Sequence, residues 1–295
     1  MQKSKANLIP TLTEGAIGGS LKARAQILLR RLGIYHRLKS SYLYDLYWRM
    51  ADRRLIENRR REVEFYKRTL SDFKRGDVIF DIGANIGQKT DIFLRLGAKV
   101  VAVEPDPQNQ EVLRQSFLGY RLVKIPVVIV GKAISAKTGS QIMWIDEPGS
   151  AKNTLSPKWV ETLRTDVSRF GKSLDFGQIR EVETTTLEDL IQSYGLPFYV
   201  KIDVEGHEVS VLSGLQTAVR FVSFEVNLPQ FKPEALECIK HLERVATGGD
   251  FNYAPDCLRG LALEPWVPKQ KFVDVVNSCE ESCIEVFWRA PAAQS

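Results

Sequence analysis

The chain has 295 residues, and its 44% hydrophobic content is ordinary for a globular protein that buries a core. Its first residues lack the apolar run of about 7 to 15 residues found in a signal peptide, and no run approaches the roughly 20 that cross a bilayer, so we expect a cytoplasmic protein. The four cysteines are too few and too irregularly spaced for a disulfide framework and indicate reduced thiols.

Charge divides the sequence into two parts. Residues 1–75 contain 18 Lys and Arg against 7 Asp and Glu, whereas the remaining 220 residues contain 23 against 29. Apolar residues recur at helical spacing through the basic part, with one such run from about residue 52 to residue 73. We therefore predict a basic N-terminal helical extension over residues 1–75, with two or three helices laid against a main domain at residues 76–295.

The basic charge of the extension leaves more than one partner open. Clustered Lys and Arg attract phosphates without sequence specificity, so the segment could contact nucleic acid or, peripherally, an anionic membrane surface. A solvated helical face is the plainer interpretation. We favour it because the aromatic residues follow the apolar stripe and therefore belong in the interior rather than against bases. Nucleic acid is thus the less favoured partner.

The strongest signal in the main domain is the stretch DVIFDIGANIGQ at residues 77–88. A short apolar run around Asp81 predicts a buried central strand of a parallel sheet. Gly83 and Gly87 remove side chains where the backbone has to turn and lie against a ligand, and Asn85 lies between them. Apolar residues at helical spacing then predict a helix, so the stretch indicates a nucleotide-binding corner.

A second predicted strand, residues 99–103, ends in Glu104. The dinucleotide pattern G-x-G-x-x-G is absent, so NAD fits poorly. In a strand-helix-strand unit Glu104 lies beside the glycine turn, where its carboxylate can accept hydrogen bonds from both hydroxyls of a ribose. The combination resembles the S-adenosylmethionine site of class I methyltransferases. The resemblance implies that the two glycines leave room for the methionine end of the cofactor. It also implies that Asp81 accepts a hydrogen bond from the ammonium group of the cofactor.

The segments that follow extend the predicted cofactor site. Pro105 precedes a helix and offers an apolar surface beneath an adenine ring. Residues 122–130 predict a third strand, and Ile134 and Ser135 lie at its outlet. Because strand outlets in a doubly wound sheet gather round one crevice, both residues are candidate adenine contacts.

The rest of the chain alternates between predicted strands and helices. Residues 139–145 predict an added strand, and residues 146–178 have no stable period, so they form either a lid or a disordered loop. The later predicted elements are strand 182–185, helix 187–194, strand 198–202, helix 208–215, strand 221–226, helix 231–245 and strands 251–254, 271–276 and 283–288. The last three strands supply an antiparallel edge.

Polar residues at two predicted strand ends point to the chemistry of an acceptor. Asp203 ends one strand, and Glu225 with Asn227 ends the next. Their side-chain oxygens are ligands that suit Mg²⁺. The positions resemble the metal-binding strand ends of catechol-type O-methyltransferases. An alcohol attacks a sulfonium methyl better when a base or a cation lowers its pKa. His207 and Asp203 are therefore candidate catalytic residues. A purely structural role, with acids favouring a helix start and His207 packed in the interior, stays open.

Four stretches together resemble the FkbM family of S-adenosylmethionine-dependent methyltransferases: DIGANIG at 81–87, VEPD at 103–106, TLEDL at 186–190 and KIDVEGHE at 201–208. The resemblance covers about residues 76–290. It implies an α/β, Rossmann-like class I fold with a mostly parallel seven-stranded sheet and helices on both faces. It also implies O-methylation of a hydroxyl, in this family often on a sugar or polyketide, and no motif identifies the acceptor.

Three functions remain open at this point. An O-methyltransferase acting on a small molecule or glycan explains both motif stretches. An RNA or protein methyltransferase explains the cofactor motifs and the basic extension, and a non-catalytic Rossmann-like binding module explains only the fold. We favour the first, because the clamp that would hold a flipped amino-bearing base is absent and Asn227-Leu-Pro-Gln230 only approaches it.

Overall fold

A computed structural model describes residues 53–122, 127–166 and 174–291, so the helices predicted before residue 52 lie outside it. Its strands are β1 (Val78–Ile82), β2 (Lys99–Val103), β3 (Val127–Val130), β4 (Ala133–Ile134), β5 (Gly139–Ile145), β6 (Gln178–Thr185), β7 (Tyr199–Ile202), β8 (Phe221–Asn227), β9 (Asp250–Ala254), β10 (Val267–Pro268) and β11 (Cys283–Arg289). Its helices are α1 (Arg53–Thr69), α2 (Gln88–Leu96), α3 (Pro107–Ser116), α4 (Leu118–Leu122), α5 (Pro157–Thr165), α6 (Leu187–Tyr194), α7 (Glu208–Ser213), α8 (Lys232–Val245) and α9 (Lys269–Ser278). Among the described residues, no helix combines the length and the apolarity that crossing a membrane requires.

In the described part of the chain, the large sheet has eight strands in the spatial order β10-β9-β11-β8-β7-β1-β2-β3. The five strands from β8 to β3 run parallel to one another, and β11 is antiparallel to both β8 and β9. The predicted α/β, Rossmann-like fold is confirmed, and β10, with only two residues, adds to the seven expected strands. Because β1 is the middle one of the five parallel strands, its carboxyl end opens in the middle of the edge where ligands bind in such sheets.

Both faces of the sheet are buried, which explains why its central strands are almost wholly apolar. Alternate residues of β1 enter different cores, with Phe80 in one cluster and Ile79 in the other. Neighbouring residues of β2 divide in the same way, with Val101 on the side of Phe80 and Val100 on the side of Ile79. The sheet is thus the middle of three layers.

The predicted strand at residues 271–276 is wrong, because this segment is part of helix α9. Phe272 and Val276 are buried and four positions apart, which is the spacing of one helical face. The segment is short and rich in valine, and that composition favours a strand when the sequence is considered alone. The antiparallel edge comes instead from β9, β10 and β11.

Two other segments have a different secondary structure from the one that the sequence predicts. The irregular stretch 146–178 contains helix α5, which buries Trp159, Val160 and Leu163. The predicted third strand at 122–130 is shorter, since α4 continues to Leu122 and β3 begins at Val127.

A second sheet, with the order β4-β6-β5 among the described residues, is inserted between β3 and α6. Strand β5 is antiparallel to β6 along its whole length, and β4 pairs in parallel with the end of β6. Met143, Ile145 and Val182 form a small core beneath it. The segment that follows β5 extends from this small sheet to the carboxyl ends of the strands of the large sheet.

Helix α1 packs on the large sheet. Tyr66 is fully buried, and its ring lies against those of Phe93 and Tyr199. At the outer edge of this contact Arg59 forms an ion pair of 3.3 Å with Asp91 of α2. The last run of the basic extension is therefore a docked helix. The domain boundary at residue 75 stays a prediction, because residues 1–52 lie outside the described ranges.

The turn after β1 requires a glycine at position 83. Gly83 has a φ of +81°, and a Cβ atom there would lie 1.8 Å from the carbonyl oxygen of Asp203. The N–H groups of Gly83 and Ala84 both donate to the carbonyl oxygen of Val103, at 3.0 Å each. The backbone therefore passes between the ends of β2 and β7 where no side chain fits.

Gly87 has a packing role in addition to the contact with the cofactor that the sequence predicts, and that contact stays a prediction. A Cβ atom there would lie 2.5 Å from the ring of Phe117 and 2.7 Å from Leu113. The glycine thus lets the start of α2 approach α3. Its φ of +86° also ends the turn in a conformation that suits glycine.

Replacing Gly83 with Ala should lower the free energy of unfolding by roughly 3 kcal/mol or more, because backbone strain and a clash with the Asp203 carbonyl add together. Gly76→Ala is a matched control, since Gly76 has a φ of +97° and a Cβ atom there would meet nothing within 4 Å. That variant should lose only the strain, about 1 kcal/mol. Urea unfolding followed by circular dichroism measures both, and equal losses would show that the contact with Asp203 is not the constraint.

Candidate active site

A cleft opens at the carboxyl ends of β1, β2 and β7 and encloses about 560 Å³, including the part open to solvent. The small sheet and the segment after β5 form its other side. The sequence-predicted residues that line the cleft are Gly83, Asn85, Glu104, Pro105, Ile134, Asp203 and His207.

Asp81 lies behind the glycine turn and does not line the cleft. Its carboxylate is 1% exposed and accepts a hydrogen bond of 2.5 Å from Thr90 Oγ1 in the first turn of α2. Burial raises the pKa of Asp81, while Lys201 and this hydrogen bond act in the opposite direction. Asp81 therefore ties β1 to α2, and its predicted contact with the ammonium group of the cofactor stays a prediction.

Glu104 is fixed in the wall of the cleft by two backbone groups. Its Oε2 accepts from the N–H of Asn85 and its Oε1 accepts from the N–H of Asp106, both at 2.8 Å. Burial raises the pKa of Glu104 to about 7, and these two N–H groups act against the rise. Each carboxylate oxygen has a second lone pair, so Glu104 can accept further hydrogen bonds from hydroxyl groups in the cleft.

Asp106 anchors the segment that covers the cleft, a role that the sequence did not indicate. Its carboxylate caps α3 by accepting from Gln108 N–H at 2.9 Å. The same carboxylate accepts from Gly149 N–H and from Asn153 Nδ2, also at 2.9 Å. Residues 146–156 are therefore an ordered wall of the cleft. The position of Asp106 between two prolines at a helix start was the available signal for the cap, and nothing local indicated the contact with the loop.

His207 is held by a chain of polar side chains from the small sheet. Its Nε2 lies 3.2 Å from Ser135 Oγ, and Gln141 Nε2 on β5 donates to Ser135 Oγ at 2.8 Å. Burial lowers the pKa of His207 to about 4, so the imidazole is neutral at neutral pH. Ser135 is buried and outside the cleft lining, so it orients His207 rather than contacting an adenine ring, and Ile134 is the residue that lines the cleft.

Three carboxylates meet at the end of the cleft nearest β7 and β8. Oxygens of Asp203, Glu205 and Glu225 lie within 4.8 Å of one another, and Lys201 Nζ donates to Asp203 Oδ2 at 2.8 Å. The charge of Asp203, followed by burial, raises the pKa of Glu225 to about 7. Burial and the charges of the other two carboxylates raise the pKa of Glu205. The cluster is therefore rich in negative charge and short of cations.

The membership of this cluster differs in part from the sequence-based expectation. Parallel pairing of Ile202 with Phe224 brings the end of β7 beside Glu225, as the strand order predicts. Glu205 was missed, because it reaches the cluster from the turn after β7, where its φ is +54°. Asn227 ends β8 two positions after Glu225 and is 8% exposed.

A family model described as "Methyltransferase FkbM domain" matches residues 81–247. The hexuronic acid methyltransferase AglP of Haloferax volcanii is 28% identical over 173 residues, which are 58% of this chain and 63% of that protein. The 31-O-demethyl-FK506 methyltransferase FkbM of Streptomyces tacrolimicus is 30% identical over 176 residues, covering 52% of this chain and 65% of that protein. The match thus spans less than two thirds of the length of either relative.

Solved structures resemble the chain only distantly. A TehB-like methyltransferase from Corynebacterium glutamicum has a TM-score of 0.40 at 9% identity, over 78% of this chain and 88% of that one. A similarity at this level carries no argument about function. The family match includes the glycine turn, Glu104, the small sheet and the carboxylate cluster, and it extends over more than half of the sequence. The chain therefore belongs to the methyltransferase FkbM domain family.

Proposed function

We propose that this protein is an S-adenosylmethionine-dependent O-methyltransferase that methylates a hydroxyl of a small molecule or glycan. The observation that carries the proposal is the shared cleft with Glu104 in one wall and His207 with Asp203 in another. Membership of the FkbM family supports it. The names of the two relatives, which specify a hexuronic acid and 31-O-demethyl-FK506, support acceptors of the sugar or polyketide type.

The residues of the cleft fit the cofactor by their chemistry. Glu104 is a buried acceptor beside the glycine turn, which suits the two hydroxyl donors of a ribose. Pro105 and Ile134 supply apolar surface for an adenine ring. Gly83 leaves the start of the turn without a side chain, and Asn85 lines the cleft beside it. When bound, S-adenosylmethionine supplies a sulfonium methyl group as the electrophile.

His207 is the residue that takes the proton of the acceptor hydroxyl. Its low pKa keeps the imidazole neutral, so one ring nitrogen has a free lone pair. In the tautomer that donates from Nε2 to Ser135 Oγ, that lone pair is on Nδ1. Ser135 and Gln141 hold the ring in one orientation, which general-base catalysis requires. Asp203 lines the same cleft as His207 and is the second catalytic residue of the proposal.

The carboxylate cluster is the place in the cleft where a metal ion would bind. Its donor set of oxygens from Asp203, Glu205 and Glu225 fits Mg²⁺, and Asn227 offers an amide oxygen at the end of the same strand as Glu225. Mg²⁺ in this cluster would polarise the acceptor hydroxyl. Lys201 already supplies one positive charge to Asp203, so the cluster has a partial alternative to a metal.

S-adenosylhomocysteine should raise the melting temperature by about 5 °C or more at a hundredfold excess over its dissociation constant, because it binds only the folded chain. NAD should not raise it. Glu104→Ala should abolish most of the rise, whereas Glu111→Ala, which removes an exposed carboxylate on α3, should keep it. Stabilisation by NAD, or a full rise in Glu104→Ala, would contradict this use of the cleft.

Methyl transfer should depend on His207 once an acceptor is known. Labelled methyl from the cofactor, incubated with fractionated cell extract, identifies that acceptor among glycan, lipid and RNA fractions. His207→Ala should then reduce turnover by roughly 10²-fold while the stabilisation by S-adenosylhomocysteine is unchanged. His241→Ala on α8, which removes the other described histidine, is the matched control and should keep normal turnover. Normal turnover in His207→Ala would leave alignment alone as the mechanism.

A metal requirement is tested in the same assay. If Mg²⁺ occupies the cluster, EDTA should stop turnover and added Mg²⁺ should restore it. Glu205→Gln, which removes one charge of the cluster, should raise the Mg²⁺ concentration needed for half-maximal turnover. Activity that withstands EDTA would remove the metal and leave Lys201 as the cation of the cluster.

A further inference from the structure

A second, separate groove runs between α1 and the segment 257–266 that follows β9. It encloses about 1230 Å³, including open solvent, and among the described residues it shares no lining residue with the cleft at the strand ends. Its charged lining residues within the described ranges are Arg60, Arg61, Arg68 and Arg259 against Glu64. The groove is therefore strongly basic.

The two walls of the groove are held together by contacts of their own. Arg61 Nη2 on α1 donates to the carbonyl oxygen of Leu258 at 3.2 Å. Further along, the hydroxyl of Tyr66 lies 3.7 Å from Cys257 Sγ, and Tyr66 is fully buried. The groove is thus part of the folded structure and needs no rearrangement to exist.

Most of the guanidinium groups in the groove keep free hydrogen-bond donors. Arg60 makes no ion pair or hydrogen bond with the described residues. Arg68 Nε donates to the carbonyl oxygen of Glu64 at 3.4 Å and lies 3.9 Å from its carboxylate, with both side chains more than half exposed, so its other N–H groups are available. Arg60 and Arg68 are two helical turns apart on α1, about 12 Å. Arg259 lies on the opposite wall, where one of its nitrogens, Nη1, donates to Glu281 Oε1 at 3.2 Å. An anion in the groove would meet arginines from both sides.

We propose that this groove binds a small phosphate-bearing molecule that also has a ring or another apolar part. Guanidinium groups present paired N–H donors that match phosphate oxygens. Phe65, Leu261 and Trp266 add apolar surface along the same groove. The arginines line a concave groove instead of a flat face, and this shape admits a small molecule more readily than a membrane surface or a nucleic-acid duplex.

The chain's own N-terminal segment is a poor occupant on grounds of charge. Residues 1–52 contain nine Lys and Arg against three Asp and Glu, a net charge of +6. A segment with that charge is repelled by a groove lined by four arginines. The proposal concerns binding alone, so it does not depend on methyl transfer in the cleft.

Binding of UDP and of inorganic pyrophosphate to the full chain, measured by titration calorimetry at fixed salt, tests the proposal. Both should bind, UDP more tightly because of its ring, and pyrophosphate should displace UDP. The double variant Arg60→Ala/Arg68→Ala should weaken UDP binding roughly tenfold or more. Lys67→Ala removes one positive charge from α1 at an exposed position outside the groove, and it should leave the affinity unchanged.

Three results would overturn the proposal. Equal UDP affinity in the wild type and the double variant would place the ligand elsewhere. Displacement of UDP by saturating S-adenosylhomocysteine would show that UDP enters the cleft at the strand ends. Failure of both probes to bind would also overturn it, and binding of phosphatidylglycerol vesicles or RNA in that case would assign the arginines to a macromolecular surface.

Discussion

The close approach of β1 and β7 at Gly83 is the constraint on which the site depends. Because Gly83 has no side chain, the carbonyl oxygen of Asp203 can lie against the turn, and Asp203 N–H donates to the carbonyl oxygen of Ile82 at 3.0 Å. The turn leads to Asn85, which holds Glu104, and Asp203 leads to the carboxylate cluster. One backbone contact therefore sets the distance between the two halves of the cleft.

Glu104 and Asp106 are close in the sequence, but their carboxylates have different structural roles. Glu104 faces the cleft and is held by two N–H donors, one of which belongs to Asp106. The Asp106 side chain holds Gly149 and Asn153 of the covering segment. The covering segment and the carboxylate of Glu104 are therefore held in place by the same residue, Asp106.

The sequence predicted the elements whose signals are local and missed the contacts that depend on tertiary structure. The glycine turn and β2 with Glu104 have short-range patterns, and both are present. Asp106 and Gln141 act through loops and strand pairings far along the chain, so no local pattern indicates their partners. Helix α9 was misassigned because its valine-rich composition outweighed the four-residue spacing of its buried residues, Phe272 and Val276.

The acceptor end of the cleft carries less charge at neutral pH than its residue types suggest. Burial keeps His207 neutral by lowering its pKa, and crowding with Asp203 keeps Glu225 partly protonated by raising its pKa to about 7. Lys201 and Asp203 form the ion pair at the centre of this arrangement. A proton is therefore held more tightly by Glu225 than by His207.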